Sequence, residues 1–184
     1  MIPDSAKKIF QGQIFSVWQW EQKMYDGSTE IFEGIKRCDT ASIIAVADGK
    51  IIYLNQEQPH KDKAFGSLPC GRVDRAGESP FDAARRELLE ETGYTSDDWQ
   101  EFAHNSPDGK IQRTFWTYLA RNAKKVADQN LDPGEKIQVQ LLSLDEFLDI
   151  ADSDDFPHLD IKADFVRAKY DTESRKKLEQ KLFV

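Results

Sequence analysis

The sequence predicts a mixed α+β fold, and three observations carry that prediction. Two pairs of apolar or alternating runs are each split by an Asp-Gly turn signal, at Asp26-Gly27 and Asp48-Gly49. One segment, residues 79–93, reads as a fully capped helix, set between strand-like stretches rather than in a regular strand–helix alternation. A second capping box, Ser143 with Glu146, opens a helical tail.

The elements follow in order. "QIFSVWQWEQKMY" and "TEIFEGIKRC" read as a hairpin, with Ile14, Val17 and Trp18 among its packed residues. "SIIAVA" and "KIIYLNQ" form a second hairpin whose continuous apolar runs fit central strands. The polar loop "EQPHKDKAFGS" leads to "LPCGRVDRAGE". Ser79 is a strong N-cap, Pro80 fits the first turn, Asp82 takes the capping-box position and Gly93 stops the helix. "WQEFAHN" and "KIQRTFWTYLA" read as strands around the turn "SPDG". "KIQVQLL" is one more strand, "LDEFLDIA" a short helix, and residues 160–183 one or two further helices.

With 184 residues the chain is long enough for one domain with a small appendage. We divide it into an N-terminal β subdomain, 1–40, expected to dimerise, and a catalytic domain, 41–184, that carries the C-terminal helices. Hydrophobic residues at 39% and charged residues at 32% are an ordinary globular balance. A net charge of -8 without a basic stripe argues against nucleic acid as partner. An anionic small molecule stays open if a bound cation reverses the local field. No apolar run approaches the ~20 residues of a membrane span, and the N-terminus does not read as a signal peptide. Cys38 and Cys70 lack metal-ligand spacing and read as reduced thiols, so a cytoplasmic location is expected. His60, His104 and His158 are too scattered for a histidine metal site.

The helix "GESPFDAARRELLEETGY" gathers Glu87, Glu90 and Glu91. At 3.6 residues per turn Glu87 and Glu91 stack one turn apart with Glu90 beside them, while Phe81, Ala84 and Leu88 form an apolar side. An acidic face of this kind is often simply wet. Two details favour a cation site. The carboxylates sit toward the C-terminal half, where the helix dipole disfavours each by up to ~1 kcal/mol. A glycine-bearing loop also enters the helix directly, so backbone carbonyls can join the carboxylates around a hard cation such as Mg²⁺ or Mn²⁺.

From Glu78 onward the segment resembles the Nudix box, Gly-x5-Glu-x7-Arg-Glu-U-x-Glu-Glu-x-Gly-U with U aliphatic or aromatic. Arg86, Glu87, Leu88, Glu90, Glu91, Gly93 and Tyr94 match. Gly71 departs from the pattern, being separated from Glu78 by six residues instead of five. We read this as a one-residue insertion that puts the backbone of Cys70 and Gly71 in question. The resemblance implies a Nudix-type α/β/α sandwich with a mixed sheet. It also implies that Glu87 and Glu91 are metal ligands and that Glu90 is a ligand or positions water. Glu78 would pair with Arg86, and the Cys70 carbonyl would be a further ligand. The implied reaction is metal-dependent hydrolysis of a nucleoside diphosphate linked to another group, with the metal ions as counter-charges to the crowded carboxylates.

Flanking segments over most of residues 9–150 resemble the ADP-ribose pyrophosphatases: the early β region, "LPCGRVD", "SPDG" and "GEKIQVQLLSLDEFL". That branch commonly has Gln-Tyr-Arg where this chain has Glu57-Gln58, so its arginine contact is not carried over. The general base is Glu90 or a late-loop glutamate. The latter nominates Glu135, which reads equally as an exposed turn residue. Trp18, Trp20, Phe15 and Phe32 offer a stacking surface for a base, or plain packing; Trp18 and Phe32 are the candidates retained. Arg113 is a candidate for phosphate, or a surface strand residue. The expected reaction is ADP-ribose to AMP and ribose 5-phosphate. Other nucleotide sugars, damaged nucleoside triphosphates and a non-catalytic ADP-ribose sensor are the alternatives. The expected assembly is a homodimer.

Overall fold

A computed structural model of the chain describes residues 2–107 and 109–184; Asp108, within the expected "SPDG" turn, lies outside the described residues. The elements are β1 (Lys7–Gln11), β2 (Phe15–Lys23), β3 (Thr29–Arg37), β4 (Thr40–Ala47), β5 (Lys50–Glu57), β6 (Phe65–Ser67), β7 (Cys70–Arg72) and α1 (Pro80–Thr92). There follow β8 (Tyr94–Thr95), β9 (Asp98–Asn105), β10 (Ile111–Gln112), β11 (Phe115–Arg121), β12 (Lys124–Lys125), β13 (Lys136–Leu142), α2 (Leu144–Asp152), α3 (Leu159–Tyr170) and α4 (Thr172–Phe183).

Both hairpins and both capped helices form as the sequence predicts. Ser79 Oγ accepts from the Asp82 N–H and Gly93 ends α1. Ser143 and Glu146 close a reciprocal capping box on α2. The tail is two helices, broken at Asp171, which caps α4. The core sheet runs β13-β5-β4-β11-β9, with β6 on β5 and β7 on β4. It is mixed, because β4 and β11 are parallel and the other ladders antiparallel. The second hairpin splays: β4 and β5 share only the pairs Val46–Ile51 and Ala47–Lys50 before each turns to another partner.

Alternation in the central strands divides the core. Ile44, Val46, Ile51, Tyr53 and Leu119 pack against α2, α3 and α4. Ile43, Ala45, Ile52, Leu54, Tyr118 and Ala120 pack against Ala83, Ala84 and Leu88 of α1. The result is a sheet between helical layers, with α1 fixed by its apolar side. Among the described residues no helix is long and apolar enough to cross a membrane.

One expected element is corrected. "KIQRTFWTYLA" is not a single strand: Ile111–Gln112 pairs in parallel with β3, and Phe115–Arg121 belongs to the core sheet. Asp39 makes the break, since its carboxylate accepts from the Thr114 N–H (2.8 Å) and from the Trp116 indole (3.1 Å). The chain thereby crosses between sheets, and the N-terminal sheet, β1-β2-β3-β10, takes its last strand from beyond α1.

His158 ties the second helical layer to the approach to the site. It is 7% exposed, and its Nε2 accepts from the Leu68 N–H at 2.9 Å. Burial pushes its pKa from 6.5 down to about 4. The folded state thus keeps the ring neutral where the unfolded chain takes up a proton. The stabilisation is complete above pH 6.5 and lost as pH falls toward 4, a loss on the order of 3 kcal/mol. Urea unfolding at pH 7 and pH 4 is expected to show a correspondingly larger drop for the wild type than for His158→Gln. Equal drops would reject this assignment.

Candidate active site

The loop 68–79 and helix α1 build the site. Cys70 and Gly71 are held on β4 by the pairs Ser42–Cys70 and Ala41–Gly71. The extra residue ahead of Glu78 does not disturb this ladder. It is taken up downstream, where the Glu78 N–H meets the Arg75 carbonyl and Gly77 adopts φ 78°. A Cβ at Gly71 would overlap the Glu87 carboxylate, so only glycine lets that side chain lie along the strand.

Arg86 organises the carboxylates. It clasps Glu78 through Nε (2.7 Å) and Nη2 (3.1 Å), and its Nη1 reaches Glu87 (2.6 Å) and Glu90 (3.1 Å). Arg75 holds Glu90 from the other side at 2.9 and 3.3 Å. The contact with Arg86 keeps the Glu78 carboxyl below its usual range, and Glu78 leads in holding the Arg86 guanidinium above its own.

Glu91 is held differently. It is 3% exposed, on the side of α1 shared with Ala84 and Leu88, and its carboxylate accepts only the Cys70 N–H, at 2.8 Å, among the described residues. Burial pushes its carboxyl well above the usual range, and the charges of Glu87, Glu135 and Glu90 add to this. Burial raises Glu87 as well; Arg86 opposes the rise, while Glu90 and Glu135 reinforce it. The Cys70 thiol is pushed up by burial and by Glu91 and Glu87, which leaves it an inert thiol rather than a nucleophile.

Residues 126–135 bring in Glu135. The loop is docked on the end of α1 by the Asn130 N–H on the Glu90 carbonyl (2.8 Å) and by the Gln129 side-chain amide on the Glu91 carbonyl (2.6 Å). Glu135 turns back to accept the Asp132 N–H at 3.3 Å, and burial is the main cause of its raised pKa. It shares a cavity of about 560 Å³ with Cys70, Gly71, Arg86, Glu87, Glu90 and Glu91.

The cavity therefore collects the residues named from the box together with Glu135. Glu78 stands behind them, clasping Arg86. Trp18, Phe32 and Arg113 do not line the cavity. The ladder pairs Trp18 with Gly34 and Trp20 with Phe32, which places Trp18 and Phe32 on one face of the N-terminal sheet. Arg37, a cavity residue, belongs to the opposite face. Arg37 and Arg75 are cavity residues that sequence reasoning missed. For Arg75 the signal was its place in the box loop; Arg37 had none short of the sheet pairing.

The donor set is all oxygen and acidic, which suits a hard divalent cation. Among the described residues no three carboxylates already converge on one ion position, because Arg86 and Arg75 hold Glu87 and Glu90. Glu91 and Glu135 have no cationic side chain within 4 Å among the described residues. Glu87, Glu90 and Glu91, with the Cys70 carbonyl, are the groups that fit an ion, which would supply the counter-charge that Glu91 lacks.

Comparison with known proteins adds the following. The model of the NUDIX domain matches residues 36–165. The ADP-ribose pyrophosphatase of Bacillus subtilis (strain 168) is 27% identical over 153 residues, covering 81% of this chain and 82% of that protein. The methanol dehydrogenase activator of Bacillus methanolicus is 29% identical over 147 residues, 78% of each chain. The crystal structure of an ADP compounds hydrolase superposes with a TM-score of 0.72 at 19% identity, over 98% of this chain and 95% of that one, a likeness of fold.

Proposed function

The chain belongs to the Nudix family, and from that premise we propose that it is a divalent-metal-dependent pyrophosphohydrolase cleaving ADP-ribose to AMP and ribose 5-phosphate. The observation that carries this is the single cavity joining Glu87, Glu90 and Glu91 of α1 to Glu135 of a separate loop. The similarity to an ADP-ribose pyrophosphatase over four fifths of both chains supports the substrate.

Mg²⁺ or Mn²⁺, when bound by Glu87, Glu90, Glu91 and the Cys70 carbonyl, supplies charge neutralisation at the pyrophosphate and a more acidic attacking water. The chain's own residues do the rest. Arg86 holds Glu87 and Glu90 in position and is itself held by Glu78. The Cys70 N–H fixes Glu91. Glu135 takes the proton of the water as its oxygen bonds to phosphorus and the bridging P–O bond breaks. Two guanidiniums occupy the oxygens of Glu90, whereas Glu135 has no cation within 4 Å among the described residues. Burial raises its pKa, which makes it a stronger base than an exposed carboxylate.

The reading is tested with a panel of nucleoside-diphosphate derivatives and Mg²⁺ or Mn²⁺, products being resolved by chromatography. AMP and ribose 5-phosphate from ADP-ribose are expected. Preferential release of pyrophosphate from a nucleoside triphosphate, or binding of ADP-ribose without turnover, would replace it with one of the alternatives.

Residues 1–40 are proposed as a dimerisation subdomain. Phe10, Phe15, Ile31 and Ile111 are all exposed. The ladders set Phe10 against Val17, Phe15 against Arg37, Ile31 against Glu21 and Ile111 against Ile35, so they share one face. Exposed apolar groups on one face, with Gln19, Glu21 and Glu33 between them, fit a partner surface, and a second copy supplies a matching one. Light scattering is expected to give twice the chain mass for the wild type and the monomer mass for Ile31→Glu with Ile111→Glu. A monomeric wild type would refute the dimer. The two unpaired cysteines fit the reducing cytoplasm.

A further inference from the structure

We propose that Arg37 and Arg113 form a second anion subsite at the rim of the carboxylate cavity, for a phosphate monoester that the substrate carries outside the scissile pyrophosphate. The inference rests on the Nudix hydrolase reading and extends it to the substrate class.

The placement comes from the sheet. β10 pairs with β3 in parallel through Ile111–Ile35 and Gln112–Lys36. Arg37 is the last residue of β3, and Arg113 follows β10 directly, one residue past the last paired position. The paired strands lie about 4.8 Å apart, and where their ladder ends Arg37 acts on Arg113 as a neighbouring charge. Each guanidinium lies over an aromatic ring: Arg37 at 5.6 Å from the Phe15 centroid and Arg113 at 4.0 Å from that of Phe115.

Neither arginine has a carboxylate within 4 Å among the described residues. Six of the other seven do, and the seventh, Arg85, is exposed. Arg37 and Arg113 are both half-buried. Arg37 Nε is the one buried side-chain polar atom without a hydrogen-bond partner among the described residues. Burial and the neighbouring charge of Arg37 both act against the charged form of Arg113. In a chain of net charge -8, two adjacent half-buried cations without an anion are an unsatisfied arrangement.

The missing anion has defined chemistry. A terminal phosphate monoester carries a charge of about -1.5 to -2 at neutral pH and three acceptor oxygens, a match for two guanidinium forks. Arg37 lines the carboxylate cavity and Arg113 does not, so an anion touching both lies at the rim. The phosphate being cut lies among the carboxylates, and the group at the rim is a different one. Both the ribose of the nucleoside and the distal sugar are possible carriers.

Hydrolysis of ADP-ribose, ADP-ribose 2′-phosphate and ADP-ribose 1″-phosphate tests this, measured as kcat/KM for the wild type and for Arg113→Gln, Arg113→Lys and Arg37→Gln. One phosphorylated compound is expected to exceed ADP-ribose by roughly ten- to a hundred-fold, mainly through KM. Which compound does so names the carrier. The advantage should fall to about two-fold or less in Arg113→Gln and survive in part in Arg113→Lys, which also controls for folding. A wild type that hydrolyses ADP-ribose without preferring either phosphorylated compound would overturn the subsite and leave the hydrolase reading standing. So would a preference that Arg113→Gln leaves intact. Hydrolysis of none of the three would overturn both.

Discussion

Glu91→Gln and Glu87→Gln are each expected to lower kcat at least ~100-fold, because each removes a charged oxygen from the place where the cation and the developing negative charge are stabilised. The two variants are also expected to be no less stable than the wild type in chelator. Burial and the neighbouring carboxylates hold the Glu91 pKa well above its usual value. The unfolded chain gives up that proton at a lower pH than the folded one, so Glu91 costs stability as pH rises from its unfolded toward its folded pKa. A neutral glutamine removes this cost. Thermal melts with and without Mg²⁺ separate the roles: added metal should raise the wild-type melting temperature and shift Glu91→Gln much less. Near-wild-type turnover in both folded variants would refute the site, and so would an equal metal-induced shift in all three proteins.

The second large effect is expected at Glu135. Glu135→Gln should reduce kcat and kcat/KM together by roughly 10²- to 10⁴-fold, the range for loss of a general base. Metal and substrate binding should stay close to wild type. Glu90→Gln should be milder on proton transfer, since Arg75 and Arg86 already occupy the Glu90 oxygens, though it disturbs the network around Arg86. A silent Glu135→Gln, beside a Glu90→Gln that binds metal but does not turn over, would move the base onto α1.

Helix α1 was legible in the sequence because its signals are local. Ser79, Pro80 and Gly93 act within one turn of themselves, and the 3.6-residue period sorts Ala84 and Leu88 from Glu87 and Glu90 without knowledge of any partner. The same holds for the two Asp-Gly hairpins and for Ser143 with Glu146. The segment 110–120 was misread as one strand because its break depends on Asp39, more than seventy residues earlier, capturing the Thr114 N–H and the Trp116 indole.

For the site, sequence alone determined which carboxylates are grouped, since Glu87, Glu90 and Glu91 share one helix. It also placed Glu78 eight positions before Arg86, as the box pattern has it. Only the tertiary structure decided how their charges are met. Arg86 and Arg75 neutralise Glu78, Glu87 and Glu90, while Glu91 is drawn into the core-facing side of the helix beside Cys70. It also decided that Glu135 reaches the cavity, through a loop docked on carbonyls of α1, and that Arg113 comes near Arg37 where the β3–β10 ladder ends. The physical reason is range. Caps, turns and periodicity are set by neighbours within a few residues. Burial, and the pKa and partner of a charged group, depend on what the whole fold packs against it.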